Sequence, residues 1–336
     1  MACLGYDFET AYTSLREGYR QLSQAPLDEN TFWENLSSLT QRAVTSAQDA
    51  LRTEVSELFS CPCEIAVAYT GSDSRLEKCG LGSPLECIVI TPCHEMTPSQ
   101  RAIVDKISEV CNKGSRIFSL QVEQKALDHD LVATYKHGDP PTVIPTRACD
   151  AAFLGGDEET FKKYKQKLCQ ELGQEHINLK LFRKKFLDSA LQNLRQELNG
   201  SPVRVPYITL DSGTVFYEKT GRRGLKHDIF RSVQYSLAYK IFCLMSQEGK
   251  VLPDDIPRTV MGRLDWLSEK KFISLSDEEI TQLKKNYTQA SYWYLLLNEQ
   301  VVSSPDPDKL ITMKLESRTL RPVIQGTLDI CKKIGE

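Results

Sequence analysis

Residues 64–90 constrain the fold of this 336-residue chain more than any other stretch. They read as an apolar run (EIAVAYT), a polar connection bearing three glycines (GSDSRLEKCGLGS), and a second apolar run (PLECIVI). Short β-prone runs joined by a polar, glycine-bearing connection predict two neighbouring buried strands, with Gly71 and Ser72 at the first turn. Successive side chains of a strand point to opposite faces. Pro84 and Glu86 therefore share one face at the mouth of the second strand, and Leu85 and Cys87 share the other.

The flanking sequence supplies helices. Phe8, Tyr12, Leu15, Tyr19 and Leu22 recur at three- and four-residue steps, the stripe of an amphipathic helix. A second stripe, Phe32, Leu36, Leu39, Ala43 and Ala47, runs toward Leu58, with Asn30 as its expected cap. Thr97-Pro98 predicts a helix start and Gly114 its stop, with Ile103, Ile107 and Val110 between them. Residues 116–122 alternate as a third strand. Further on, Asp150 reads as a residue that caps or braces a helix, and Gly155-Gly156 as that helix's end. From Asp157 the stripes are helical: Phe161, Tyr164, Leu168 and Leu172, then Leu181, Phe186, Ala190, Leu194 and Leu198. Ser276 and Glu279 predict a capping box. A last helix over 318–334 follows the proline-rich break at 305–308. The expected organisation is α+β: a helical arm (1–58), a strand-bearing domain (59–156) and an all-α domain (157–336).

Spelled out, Gly71-Ser72-x-x-Arg75-x-Glu77 followed by Ser83-x-x-Glu86 resembles the PII-uridylyltransferase-like nucleotidyltransferases of the polymerase-β-like superfamily. That motif runs glycine, glycine or serine, Arg-x-Glu, then Ser/Thr-Asp-x-Asp. Here Pro84 stands at the first aspartate and Glu86 at the second, and the connection from Glu77 to Ser83 is one residue longer. Two other stretches join the resemblance. In residues 144–157, Asp150 and Gly156-Asp157 match, while Ala152 replaces an arginine. In residues 216–228, Lys219, Gly221, Gly224, Leu225 and Asp228 match a basic glycine turn that leads into a helix. The likeness spans most of residues 60–335.

The resemblance implies a minimal nucleotidyltransferase fold followed by helices, and transfer of a nucleoside monophosphate from an NTP to a protein acceptor. It implies that Gly71, Ser72 and Arg75 meet the phosphates, that Lys219, Arg222 and Arg223 add cationic donors, and that Glu86 is the catalytic, Mg²⁺-holding carboxylate. Paired carboxylates serve such chemistry because metal ions must neutralise both the attacking and the leaving oxygen. Pro84 has no ligand to offer, so the expectation is a degenerate metal site. The alternative is a non-catalytic nucleotide sensor or protein-interaction module. Asp73, Glu77 or Glu123 could replace the missing acid, and Glu123, Asp128 and Asp130 are candidates for a third carboxylate.

Composition narrows the partners. A net charge of −3 gives no global drive toward DNA. No run of ~18 apolar residues predicts a membrane span, and the opening MACLGYDFETAY lacks the apolar core of a secretion signal, so a cytoplasmic setting is expected. Eleven cysteines are an odd count, without a second pair at zinc-finger spacing beside Cys61-Pro62-Cys63. Cys87, Cys93, Cys111, Cys149, Cys169 and Cys243 lie in or beside apolar runs and read as reduced core thiols. Cys93-His94 is the one adjacent Cys-His pair.

Overall fold

A computed structural model describes residues 5–60, 63–81, 85–117, 123–132, 149–174, 207–209, 214–217, 221–223, 229–247, 255–303, 312–314 and 317–334. The chain forms two compact units, Met1–Gln174 with Lys250–Leu252, and Glu175–Gly249 with Pro253–Glu336.

The first unit opens with α1 (Phe8–Gln24) and α2 (Glu29–Glu54). Each starts on an aspartate whose side chain accepts a backbone N–H of the first turn: Asp7 from Thr10, and Asp28 from Thr31. The cap of α2 is thus Asp28 and not Asn30, which lies inside the first turn. Then follow α3 (Glu57–Ser60), β1 (Ala66–Thr70), β2 (Glu86–Thr91), α4 (Pro98–Lys113), β3 (Glu123–Ala126), β4 (Ala152–Gly156) and α5 (Glu158–Gln174). Thr97 caps α4 in a reciprocal box with Gln100, and Gly114 ends it, as the sequence predicts.

The four strands lie in the order β3-β2-β1-β4. β1 runs antiparallel to β2 and β4, and β2 runs parallel to β3. Every residue of β1 is buried, and β2 is buried from Cys87 onward. α5 packs on β1, β2 and β4, while α2 packs on α4 and β4. Burying Val67, Ile88, Val89 and Ile90 contributes roughly 1.5–3 kcal/mol per side chain.

Two expectations for this region are corrected. The third strand is Glu123–Ala126; within 116–122, Arg116 and Ile117 are turn residues and 118–122 lie outside the described residues. Ile117 still joins the sheet edge, its carbonyl accepting the N–H of Leu85 at 2.7 Å. Gly155 and Gly156 close a strand and not a helix, pairing with Val67 and Ala66. Gly156 is required by close approach: at φ +91°, a Cβ there would stand 2.3 Å from the carbonyl oxygen of Ile65. Asp157 then caps α5 through Thr160.

The second unit holds α6 (Ser232–Gln247), α7 (Val260–Glu269), α8 (Asp277–Val302) and α9 (Ser317–Ile334). α9 packs on α8 and α6, burying Ile241, Leu283 and Leu328. The Ser276–Glu279 capping box is formed at 3.0 and 3.3 Å. The unit is not all-α. β5 (Tyr207–Thr209), β6 (Thr214–Tyr217), β7 (Gly221–Arg223) and β8 (Thr312–Lys314) build an antiparallel sheet in the order β7-β6-β5-β8. These strands are three or four residues long, too short to announce themselves by alternation. The fold class is α+β. Among the described residues no helix is long and apolar enough to cross a membrane.

Candidate functional site

The turn between β1 and β2 is built from its own hydrogen bonds. Gly71 follows Thr70 at φ +77°, in the left-handed region where a side chain is strained. The Gly71 carbonyl accepts the Ser74 hydroxyl at 2.8 Å and the Arg75 N–H at 3.4 Å, and the Ser72 carbonyl accepts the Glu77 N–H at 2.8 Å. Leu76, at φ +61°, completes the reversal. Gly71 and Ser72 are half-buried.

Antiparallel register sets Glu86 directly across from Thr70. Glu86 is exposed, unlike the rest of β2. Its Oε2 lies 3.4 Å from the Thr70 hydroxyl, and a Cβ at Gly71 would stand 3.6 Å from the same oxygen. Gly71, Ser72 and Glu86 therefore meet at one mouth of the sheet. Pro84 lies outside the described residues.

Under this mouth sits a charge cluster. Asp73, Arg75, Glu77, Lys78 and Asp150 are each at most 7% exposed. The Lys78 ammonium stands 2.9 Å from Asp73 Oδ1, close enough for an ion pair but off the angle of a hydrogen bond. The Arg75 guanidinium pairs with Asp150 through Nη1 and with Glu77 through Nε at 3.4 Å. The cluster is pinned to α2, where the Thr40 hydroxyl accepts the Lys78 N–H at 3.1 Å and the Ser37 hydroxyl donates to the Leu76 carbonyl at 3.2 Å. Burial pushes the Asp73 carboxyl up from its ordinary range; Lys78 opposes the shift and the Glu86 charge reinforces it.

Each expected site residue can now be placed. Arg75 does not open onto the mouth: its guanidinium is engaged inward by Asp150 and Glu77. Asp73 and Glu77, the proposed stand-ins for position 84, are buried in ion pairs. Glu123 lies opposite Ile88 in the parallel β2–β3 pair, two residues along from Glu86. Asp128 and Asp130 follow β3 at its far end, where Asp128 accepts the His94 N–H at 2.9 Å. Because β2 and β3 run parallel, that end lies about 16 Å from Glu86 at ~3.3 Å per residue, too far for a shared metal. Lys219 lies outside the described residues. Arg222 and Arg223 belong to β7 in the second unit, paired with Phe216 and Val215.

Among the described residues no group of three His, Cys, Asp or Glu side chains could hold a metal ion. What Glu86 offers is one carboxylate beside a turn. Magnesium is commonly held by one or two carboxylates together with substrate phosphates and water, so this donor suits a nucleotide-borne ion and not a protein-held pair. Among the described thiols, Cys63, Cys149 and Cys243 are half-buried. Cys79, Cys87, Cys111, Cys169 and Cys331 are buried. A hydrogen bond with Cys111, then burial, raises the Cys87 thiol, and burial pushes Cys169 up to about 12. Cys93 is exposed and departs from the core-thiol expectation.

Sequence reading missed the Asp73–Lys78 pair and its anchorage to Thr40. The available signal was four charged residues among the six from Asp73 to Lys78, lying between two buried strands. No protein-family model matches the chain, and no curated protein sequence matches it.

Proposed function

We propose that the first unit is a nucleotidyltransferase-like core that binds a nucleoside triphosphate at the Gly71–Ser72 turn, with a metal site reduced to Glu86. One observation carries this reading: a tight turn at positive φ, free of a Cβ, opens beside a single exposed carboxylate on the neighbouring strand. A bare glycine lets phosphate oxygens approach backbone N–H groups that a side chain would cover. Glu86 would repel those phosphates unless a cation lay between them, so the nucleotide enters as its Mg²⁺ complex. When bound, Mg²⁺ supplies neutralisation of phosphate charge.

The same geometry favours a member that binds nucleotide without transferring it. Position 84 has no carboxylate, and Asp73 and Glu77 are held in buried ion pairs. Losing metal-held stabilisation of the transition state costs several kcal/mol. Its role is then to sense a nucleotide or present a nucleotide-dependent surface to a protein. Calorimetric titration with ATP, UTP, GTP and CTP, with and without Mg²⁺, tests the reading alongside transfer of labelled nucleotide to protein. Magnesium-dependent binding of at least one nucleotide without transfer is expected. Rapid transfer overturns the degenerate site, and binding of none of the four overturns the phosphate turn.

A further inference from the structure

We infer that Arg75 is a positioning residue for the phosphate turn, acting through Asp150, and not a phosphate ligand. The inference rests on the reading of Gly71–Ser72 as a triphosphate site. Arg75 closes the turn twice. Its N–H bonds the Gly71 carbonyl at 3.4 Å, and its side chain reaches Asp150, two residues before β4 begins. β4 in turn pairs with β1 up to Tyr69↔Ala152, one residue short of Thr70. Turn, Arg75, Asp150, β4 and β1 thus form a closed ring of covalent and hydrogen-bonded links. Glu86 is fixed to the same ring across Thr70.

A guanidinium is a planar fork, and here two of its nitrogens are already engaged by Asp150 and Glu77. With 7% of the residue exposed, the guanidinium faces inward, and swinging it out to the mouth would break the bond to Asp150. Doing so would take its arginine from a buried carboxylate, a costly change. What the arginine fixes is where the Gly71 and Ser72 amides stand relative to Glu86. Small displacements of such groups carry large penalties in binding and reactivity. Lys78 supports the opposite flank of the turn from α2, its N–H bonded to the Thr40 hydroxyl.

Asp150→Asn and Arg75→Lys separate positioning from contact. Affinities of full-length wild type and each variant for the Mg²⁺ complex of the nucleoside triphosphate that the wild type binds, and for the matching nucleoside, are measured by calorimetry. Hydrogen exchange at the Glu77 amide, which reads the turn directly, accompanies them. Positioning predicts that both variants lose triphosphate affinity on the order of tenfold, the scale of coupling within one network. Nucleoside affinity holds, and Glu77 exchange quickens in both. Were Arg75 a direct ligand, Asp150→Asn would release the guanidinium and Arg75→Lys would keep its charge. Unchanged or tighter triphosphate binding in either folded variant therefore overturns the inference. Should Asp150→Asn fail to fold, Glu77 exchange in Arg75→Lys decides: lost affinity with quickened exchange supports positioning, and lost affinity with wild-type exchange overturns it. A wild type that binds no triphosphate removes the phosphate-turn reading and the positioning role with it, an outcome distinct from wild-type binding that the variants leave unchanged.

Discussion

Replacing Lys78 with methionine isolates the buried pair under the turn. Methionine keeps the length and apolar stem of the side chain and removes the ammonium, leaving the Asp73 carboxylate 2% exposed without its cation. Breaking a buried pair from one side costs about 3–5 kcal/mol. For a unit of this size that lowers its melting temperature by roughly 6–20 °C, at about 2–4 °C per kcal/mol. The loss depends on pH in a definite sense. The folded-state pKa of Asp73 is raised above its ordinary 3.8, so its contribution to stability is full below that value and is lost as pH rises through the folded-state pKa. Removing Lys78 takes away the group that opposes the shift. The window of loss extends upward, and Lys78→Met falls further below wild type as pH climbs from about 4 to 7. Urea unfolding of both proteins across that range reads the difference directly. Adding Asp73→Asn removes the orphaned charge, so the double variant recovers most of the loss at pH 7 and the difference becomes flat with pH. A single variant that loses less than about 1 kcal/mol at pH 7, or whose loss ignores pH, refutes the reasoning about a desolvated carboxylate.

Three further outcomes follow from the same geometry. Gly156→Ala, whose Cβ would stand 2.3 Å from a backbone oxygen at φ +91°, should destabilise by at least about 1–3 kcal/mol, whereas Gly155→Ala, which meets only the part-exposed Phe59 ring, should cost under about 1 kcal/mol in denaturant unfolding. Gly71→Val should both destabilise and abolish nucleotide binding, while Gly71→Asn, tolerant of the left-handed region, should stay near wild-type stability and still weaken binding; equal nucleotide affinity in all three proteins contradicts the turn's role. Pro84→Asp with Glu86→Asp should create Mg²⁺ binding measurable by calorimetry without nucleotide, and no change in Mg²⁺ affinity says that position 84 does not face the mouth.

The parts of this fold legible in the sequence are those with a strong local cause. The two apolar runs around Gly71 became paired strands because burial on both faces leaves little else for such runs to do. Thr97-Pro98 and Gly114 marked the limits of α4 because capping is decided by adjacent residues. Asn30 misled because Asp28, two residues earlier, offers the same chemistry and is the residue that captures the Thr31 N–H. Gly155-Gly156 read as a stop, since sequence alone cannot show that the Ile65 carbonyl packs where a Cβ would be. β3 and β8 depend on partners far along the chain, which periodicity does not record, while β5, β6 and β7 pair with near neighbours but are too short to alternate. At the site, Gly71, Ser72 and Glu86 were legible as a spacing. The inward turn of Arg75 was not, because it depends on Asp150, 75 residues away.

The most direct test of the account is the magnesium dependence of triphosphate binding in wild type and Glu86→Gln, measured side by side by calorimetry. Glu86 Oε2 lies within 3.6 Å of where a Gly71 side chain would begin, so without a cation its charge opposes phosphates at the turn. The account predicts a crossing. Without Mg²⁺, Glu86→Gln binds the triphosphate more tightly than wild type; with Mg²⁺, wild type gains affinity and the variant gains little. Parallel responses to Mg²⁺ in the two proteins, or no triphosphate binding in either, would contradict a phosphate turn served by Glu86.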